Sequence, residues 1–168
     1  MLHAFAAYVE DAYFFFFVPI FSASARKQQA NPKKCYCIDS GMIRASTYAL
    51  HIDLGLVLET AAFIELRRRG LSPAYVITDN GREVDFAVEH AGEMELIQVC
   101  WSLLEDDATK NRELTSLFEA AERWPQAKLR VITAYESGTE TNGKRRASIV
   151  PYYEWVLRQT GLTAIPNG

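Results

Sequence analysis

The sequence has 168 residues, of which 49% are hydrophobic and 23% charged. That balance supports one ordinary domain with a sizeable core plus a small appendage, and excludes wholesale disorder. The formal net charge of -3 excludes a global pull toward nucleic acid or an anionic membrane, so any such contact must come from a local patch.

Leu2 to about Asp11 reads as a helix, with Leu2, Phe5, Ala6 and Val9 forming an apolar stripe. Tyr13 to Val18 reads as a strand in which Phe14 and Phe16 point one way and Phe15 and Phe17 the other. A strand apolar on both faces predicts double burial or a partner over one face, and a homodimer through this Phe-rich strand is one such arrangement. The apolar run from Tyr13 to Phe21 is shorter than the roughly 20 residues that cross a bilayer as a helix. Glu10 and Asp11 precede it where a signal peptide would carry basic residues. The expectation is a cytoplasmic protein with no membrane partner.

Phe21–Lys27 and Lys34–Asp39 read as a hairpin whose connection holds Lys27, Asn31, Pro32, Lys33 and Lys34. Lys27, Lys33 and Lys34 are therefore candidate nucleic-acid contacts, in either a solvated loop or the wing of a winged helix. Cys35 and Cys37 share this stretch and Cys100 is the third cysteine. An odd count without a His cluster argues for a reducing compartment and against a disulfide framework or a zinc site.

From Leu56 a helix is predicted, with Leu58, Ala61, Ala62 and Leu66 on its apolar stripe, Arg67, Arg68 and Arg69 in its last turn and Gly70 as its stop. Strands follow over Ala74–Thr78 and Glu83–Glu89, joined by Asp79-Asn80-Gly81, a hairpin signal. In the second of them Val84, Phe86 and Val88 are expected on one face and Glu83, Asp85 and Ala87 on the other. Ala91-Gly92 turns the chain into a third strand, Met94–Trp101. A helix from about Asp107 to Trp124 ends at Pro125, and Leu129–Ala134 is a further strand. Glu136–Arg146 reads as a polar loop, Ser148–Val150 as a short strand, and Pro151 as the opening of a closing helix that carries Trp155 and Leu157.

The candidate chemistry lies in polar residues at set places in that order. Glu59 is near the start of the first long helix, Asp85 in the middle of a strand, and Gln98 and Cys100 on one side of the next strand. The pairing of these strands is expected to bring Asp85 beside Gln98 and Cys100. Glu65 is a competing helix acid, but six residues after Glu59 it lies roughly 240° further round the helix. The two cannot serve one site, and Glu65 is read as a salt-bridge partner.

This arrangement resembles the PD-(D/E)xK nuclease superfamily. More closely, Asn31-Pro32-Lys33-Lys34, Ile38-Asp39-Ser40-Gly41, the run from Leu58 to Gly70, Arg82-Glu83-Val84-Asp85-Phe86 and Leu96-Ile97-Gln98-Val99-Cys100 are similar, in order and spacing, to the C-terminal nuclease-like domain of a bacterial and archaeal AAA (P-loop) ATPase family. The resemblance implies an α/β, restriction-endonuclease-like core (helix, three strands, helix, strand) over 42–168. Residues 1–41 are then a partial winged helix or β-hairpin segment. It implies Mg²⁺ or Mn²⁺ held by Glu59, Asp85 and the backbone carbonyl of Val99, because a hard cation takes oxygen ligands and can activate water against a phosphodiester. Gln98 matches the Glu/Gln position, and Cys100 falls where such nucleases carry lysine. A thiol with an unperturbed pKa of about 8.5 supplies no fixed positive charge. Lys110 or Arg112 on the following helix is the expected substitute, and Arg112 is also a candidate phosphate contact.

No Gly-x-x-x-x-Gly-Lys-Ser/Thr motif is present, so no nucleotide site is expected in this chain and the P-loop ATPase portion would be a partner in cis or in trans. The sequence favours a catalytically impaired module that binds DNA or a protein partner. An active metal-dependent nuclease with a displaced cation and a pure interaction or dimerisation module are the alternatives.

Overall fold

The computed structural model describes residues 2–42 and 53–159, and the chain is mixed α/β. The elements in chain order are α1 (Leu2–Asp11), β1 (Phe15–Val18), α2 (Ala25–Ala30), β2 (Lys34–Cys37), α3 (Leu54–Arg68), β3 (Ala74–Ile77), β4 (Glu83–His90), β5 (Glu93–Val99), α4 (Asp107–Arg123), β6 (Lys128–Thr133), β7 (Gly138–Asn142), β8 (Arg145–Pro151) and α5 (Tyr152–Gln159). The predicted run of helix, three strands, helix and strand is thus present. Of the apolar stripe predicted on α1, Val9 is half-buried, and the side chains of Leu2, Phe5 and Ala6 lie outside what the structure describes. Among the described residues no helix is long and apolar enough to cross a membrane.

A six-stranded mixed sheet in the order β3-β4-β5-β6-β8-β7 forms the centre. β5 runs parallel to β6 and β6 to β8, while the other neighbours are antiparallel. The parallel step from β5 to β6 needs a crossover, and α4 supplies it. Leu114, Leu117, Phe118, Ala120 and Ala121 of α4 pack with Val76, Val84, Ala87, Leu96 and Val131 on one side of the sheet. The opposite side packs against Leu58, Ala62, Phe63 and Leu66 of α3 and Trp155 of α5.

The segment before α3 shares that second core. Phe16, Val18, Ile20 and Tyr36 are buried in it. Tyr36 stacks on Phe63 at 4.5 Å between ring centroids, an aromatic contact of about 1 kcal/mol beyond its area. The expected hairpin differs in its first strand: β2 pairs antiparallel with β1, Phe15↔Cys37 to Val18↔Lys34, and not with Phe21–Lys27. Ala25–Ala30 is instead a short helix capped by Ser24, because this polar run has no alternating face to bury. Phe16 and Val18 are buried while Phe15 and Phe17 are half-buried, so one face of the strand is covered and the other partly so.

The stretch expected as a polar loop before the last strand contains β7, whose hairpin with β8 turns at Gly143 (φ 61°). β7 is an edge strand exposed on both faces, so it carries no apolar alternation by which it could be read. Pro151 closes β8 and α5 begins after it.

One irregularity sets the geometry of the site. Ala74 faces Ala87 and Val76 faces Val84, so a two-residue step on β3 is matched by a three-residue step on β4. The extra residue is a β-bulge at Asp85-Phe86, and a bulge re-aims side chains. Val84 and Ala87 both face the α4 side, whereas Phe86 faces the α3 side. The expectation that Val84 shares a face with Phe86, and Asp85 with Ala87, is corrected by this bulge.

Candidate active site

Glu59 projects from the second turn of α3, whose N-terminus is capped by Asp53 accepting the N–H of Leu56 at 3.0 Å. Asp85 comes from the bulge. The paired rungs of β4 and β5 run from His90↔Glu93 to Phe86↔Ile97, so Asp85 and Val99 lie just past the last of them. There the Val99 N–H donates to Asp85 Oδ2 at 2.9 Å and the Asp85 N–H to Gln98 Oε1 at 3.4 Å.

Between the two acids lies Lys34. Its Nζ is 2.9 Å from Glu59 Oε1, 3.0 Å from Asp85 Oδ1 and 2.7 Å from Glu83 Oε1. Lys34 therefore faces inward, apart from Lys27 and Lys33, which are exposed on the connection. The Tyr36 hydroxyl, from the same side of β2, donates to Glu59 Oε1 at 2.5 Å. Burial alone would lower the pKa of Lys34, but Asp85, Glu59 and Glu83 outweigh it and hold the ammonium above the ordinary lysine range. Burial, then the nearby Glu59 charge, pushes Asp85 up to about 7, against the opposing pull of Lys34 and the Val99 N–H. Burial and then Glu59 raise Tyr36 as well, so its hydroxyl stays protonated.

Gln98 and Cys100 point to the other side of β5. Gln98 Nε2 donates to Glu113 Oε2 of α4, and Arg112 holds Glu113 Oε1 through Nε at 3.0 Å and Nη2 at 2.6 Å. Cys100 is buried with Leu103 and Leu114. Burial first, then Glu113 and Glu136, push its thiol up to about 12, so it is neutral near pH 7. Asp85 nonetheless lies beside Gln98, and Asp85, Gln98 and Cys100 line one cleft, while the Asp85 carboxyl reaches Lys34. The expected substitutes for the missing lysine are both paired: Lys110 with Glu140 at 2.6 Å, and Arg112, which lines the cleft, with Glu113. Cys100→Lys is expected to add no cleavage and to lower stability by about 2 kcal/mol, because a much longer side chain must replace a buried thiol packed in the cluster with Leu103 and Leu114. Thermal unfolding beside a cleavage assay checks this.

The two sides meet in a cleft of about 440 Å³ at the end of the sheet, lined by residues that include Glu59, Asp85, Gln98, Val99, Cys100, Trp101 and Arg112. Among the described residues its lining holds six acidic ones, Asp53, Glu59, Asp85, Glu105, Asp106 and Glu113, against one basic residue, Arg112. A phosphate diester would be repelled unless a cation were present. The donors suit a hard divalent ion, which commonly takes one or two carboxylates and completes its shell with water and substrate phosphate. Among the described residues no three His, Cys, Asp or Glu side chains form a ready-made metal cage. Glu59 and Asp85 would be two ligands of an incomplete shell, with Val99 beside them.

Tyr36, Glu83 and Glu113 were not singled out in the sequence. Lys34 and Tyr36 have the same strand parity, so the two face together, but parity alone does not say which side of the strand is buried.

No family model matches the chain, and no solved structure matches it significantly. An uncharacterized protein of Methanocaldococcus jannaschii is 30% identical over 165 residues, covering 93% of this chain and 36% of that protein. The chain therefore spans about a third of the length of this relative.

Proposed function

We propose that this chain is a metal-dependent nuclease module with a restriction-endonuclease-like core, and that Lys34 of β2 supplies the cation missing at Cys100. The carrying observation is the ammonium of Lys34 set between the helix acid and the strand acid, 2.9 and 3.0 Å away. Glu59 and Asp85, with the main chain at Val99, would hold Mg²⁺ or Mn²⁺, which when bound would polarise the phosphate and lower the pKa of an attacking water. Tyr36 orients Glu59, and the Val99 N–H orients Asp85. Lys34 stays charged, so it stabilises negative charge in the transition state and does not serve as a base. The resemblance noted in the sequence supports a module that works as part of an AAA-type ATPase, with DNA as substrate.

The neutral thiol of Cys100, where such nucleases carry lysine, favours a second reading, a module that binds DNA or a partner without cutting. Incubation of single- and double-stranded DNA with the protein and Mg²⁺ or Mn²⁺, beside Asp85→Asn, separates the two. Metal-dependent cleavage lost in Asp85→Asn is expected. Salt-sensitive binding with no cleavage by the native protein would refute the nuclease and support the second reading.

A further inference from the structure

We propose that Lys34 and a divalent cation compete for the Glu59–Asp85 pair, and that Glu83 is the positioning residue that keeps the displaced ammonium at the site. This rests on the metal-dependent reading above and adds how the ion is admitted. An ammonium has three N–H donors. Those of Lys34 face Glu59, Asp85 and Glu83 at 2.9, 3.0 and 2.7 Å. Its nitrogen therefore occupies the space from which an ion would draw the oxygens of Glu59 and Asp85. Mg²⁺ takes oxygens at about 2.0–2.1 Å, and two cations cannot share the same pair of oxygens at such range without strong repulsion.

The three acids are not equivalent. Glu59 is tied by the Tyr36 hydroxyl and Asp85 by the Val99 N–H, so both are fixed by the fold. The Glu83 side chain is 45% exposed, at the rim, and makes the shortest of the three contacts with Lys34. Lys34 starts β2 and carries a flexible four-carbon stem, so a change of rotamer toward Glu83 suffices to vacate the pair. Glu83 thus lowers the cost of admitting the ion and holds the ammonium within reach of the bound substrate.

Calorimetric titration of Mn²⁺ into the native protein, Lys34→Met and Glu83→Gln tests this without relying on activity. Lys34→Met is expected to bind Mn²⁺ at least about tenfold more tightly than the native protein, since a competing charge is gone, and Glu83→Gln about threefold or more weakly. Mn²⁺ bound by Lys34→Met no more tightly than by the native protein would overturn the competition while leaving a metal site in place. Absence of Mn²⁺ binding by all three would instead overturn the metal-dependent reading, and the competition with it. Should Lys34→Met prove unfolded by circular dichroism, the exposed Glu83→Gln decides alone, and an affinity equal to or above the native value would refute the proposal.

Discussion

Lys34→Ala is expected to lower Mn²⁺-dependent DNA cleavage by about 100-fold or more, the usual effect of removing a preorganised charge from a site where negative charge develops. The ammonium is held by three carboxylates and partly shielded from water, with a side-chain exposure of 18%, so its field is screened less than that of a surface lysine. Cleavage assays at saturating Mn²⁺, beside circular dichroism to confirm folding, check this result. Near-native cleavage by Lys34→Ala would show that the lysine only neutralises its neighbours. Together with the expected tighter ion binding by Lys34→Met, the prediction is a divergence: affinity for the metal rises while turnover falls. A residue that served only to hold the fold would lower both.

Glu65→Gln is expected to destabilise the protein by about 3 kcal/mol, the cost of breaking a buried ion pair from one side. At about 2–4 °C per kcal/mol for a chain of this size, the thermal midpoint should fall by roughly 6–12 °C. Glu65 is 5% exposed and accepts from Arg68 at 2.6 and 2.7 Å and from Arg69 at 2.8 Å. Arg69 lies over the Trp155 ring at 3.9 Å and donates to the Trp155 carbonyl at 2.9 Å, so the network fastens α5 to α3. The hydrogen bonds from Arg68, with those from Arg69, hold the Glu65 carboxyl below its ordinary pKa. Because the folded value is the lower one, this contribution is complete above the ordinary carboxylate pKa of about 4.3 and is lost as pH falls through the folded value. The gap between native and Glu65→Gln midpoints should therefore be wide near pH 7 and close below pH 4. A gap independent of pH would point to packing in place of charge.

Much of the fold was legible because its signals are local. The period of α3, its arginine-rich last turn and Gly70 mark one helix, and Ala91 (φ 53°) with Gly92 (φ 79°) forms the tight turn that two such residues between strands announce. Glu59, Asp85 and the structural role of Glu65 could be read from their place in those elements. Lys34 could not be read so directly. In the sequence it belongs to a basic cluster with Lys27 and Lys33, and only the burial of Tyr36 on the same side of β2 turns it away from solvent. That burial depends on Phe63 and Phe86, far along the chain, so no local pattern contains it. The bulge was equally hidden, because Glu83-Val84-Asp85-Phe86 alternates polar and apolar as a regular strand would. Glu113 reads as one more polar residue of an amphipathic helix until Gln98 is placed beneath it.

The bulge also makes the spacing of this strand a matter of counting. In a regular strand, side chains two apart face together, so residue parity alone decides which layer each one enters. Here the parity changes between Val84 and Ala87, which are three apart and face the same layer. Removing one residue from that interval would restore the even count and carry the acid away from Lys34, with the composition of the strand almost unchanged. A length change of one residue is thus more damaging here than most substitutions, and homologues that retain an aspartate in β4 keep this site only if they also keep the odd interval.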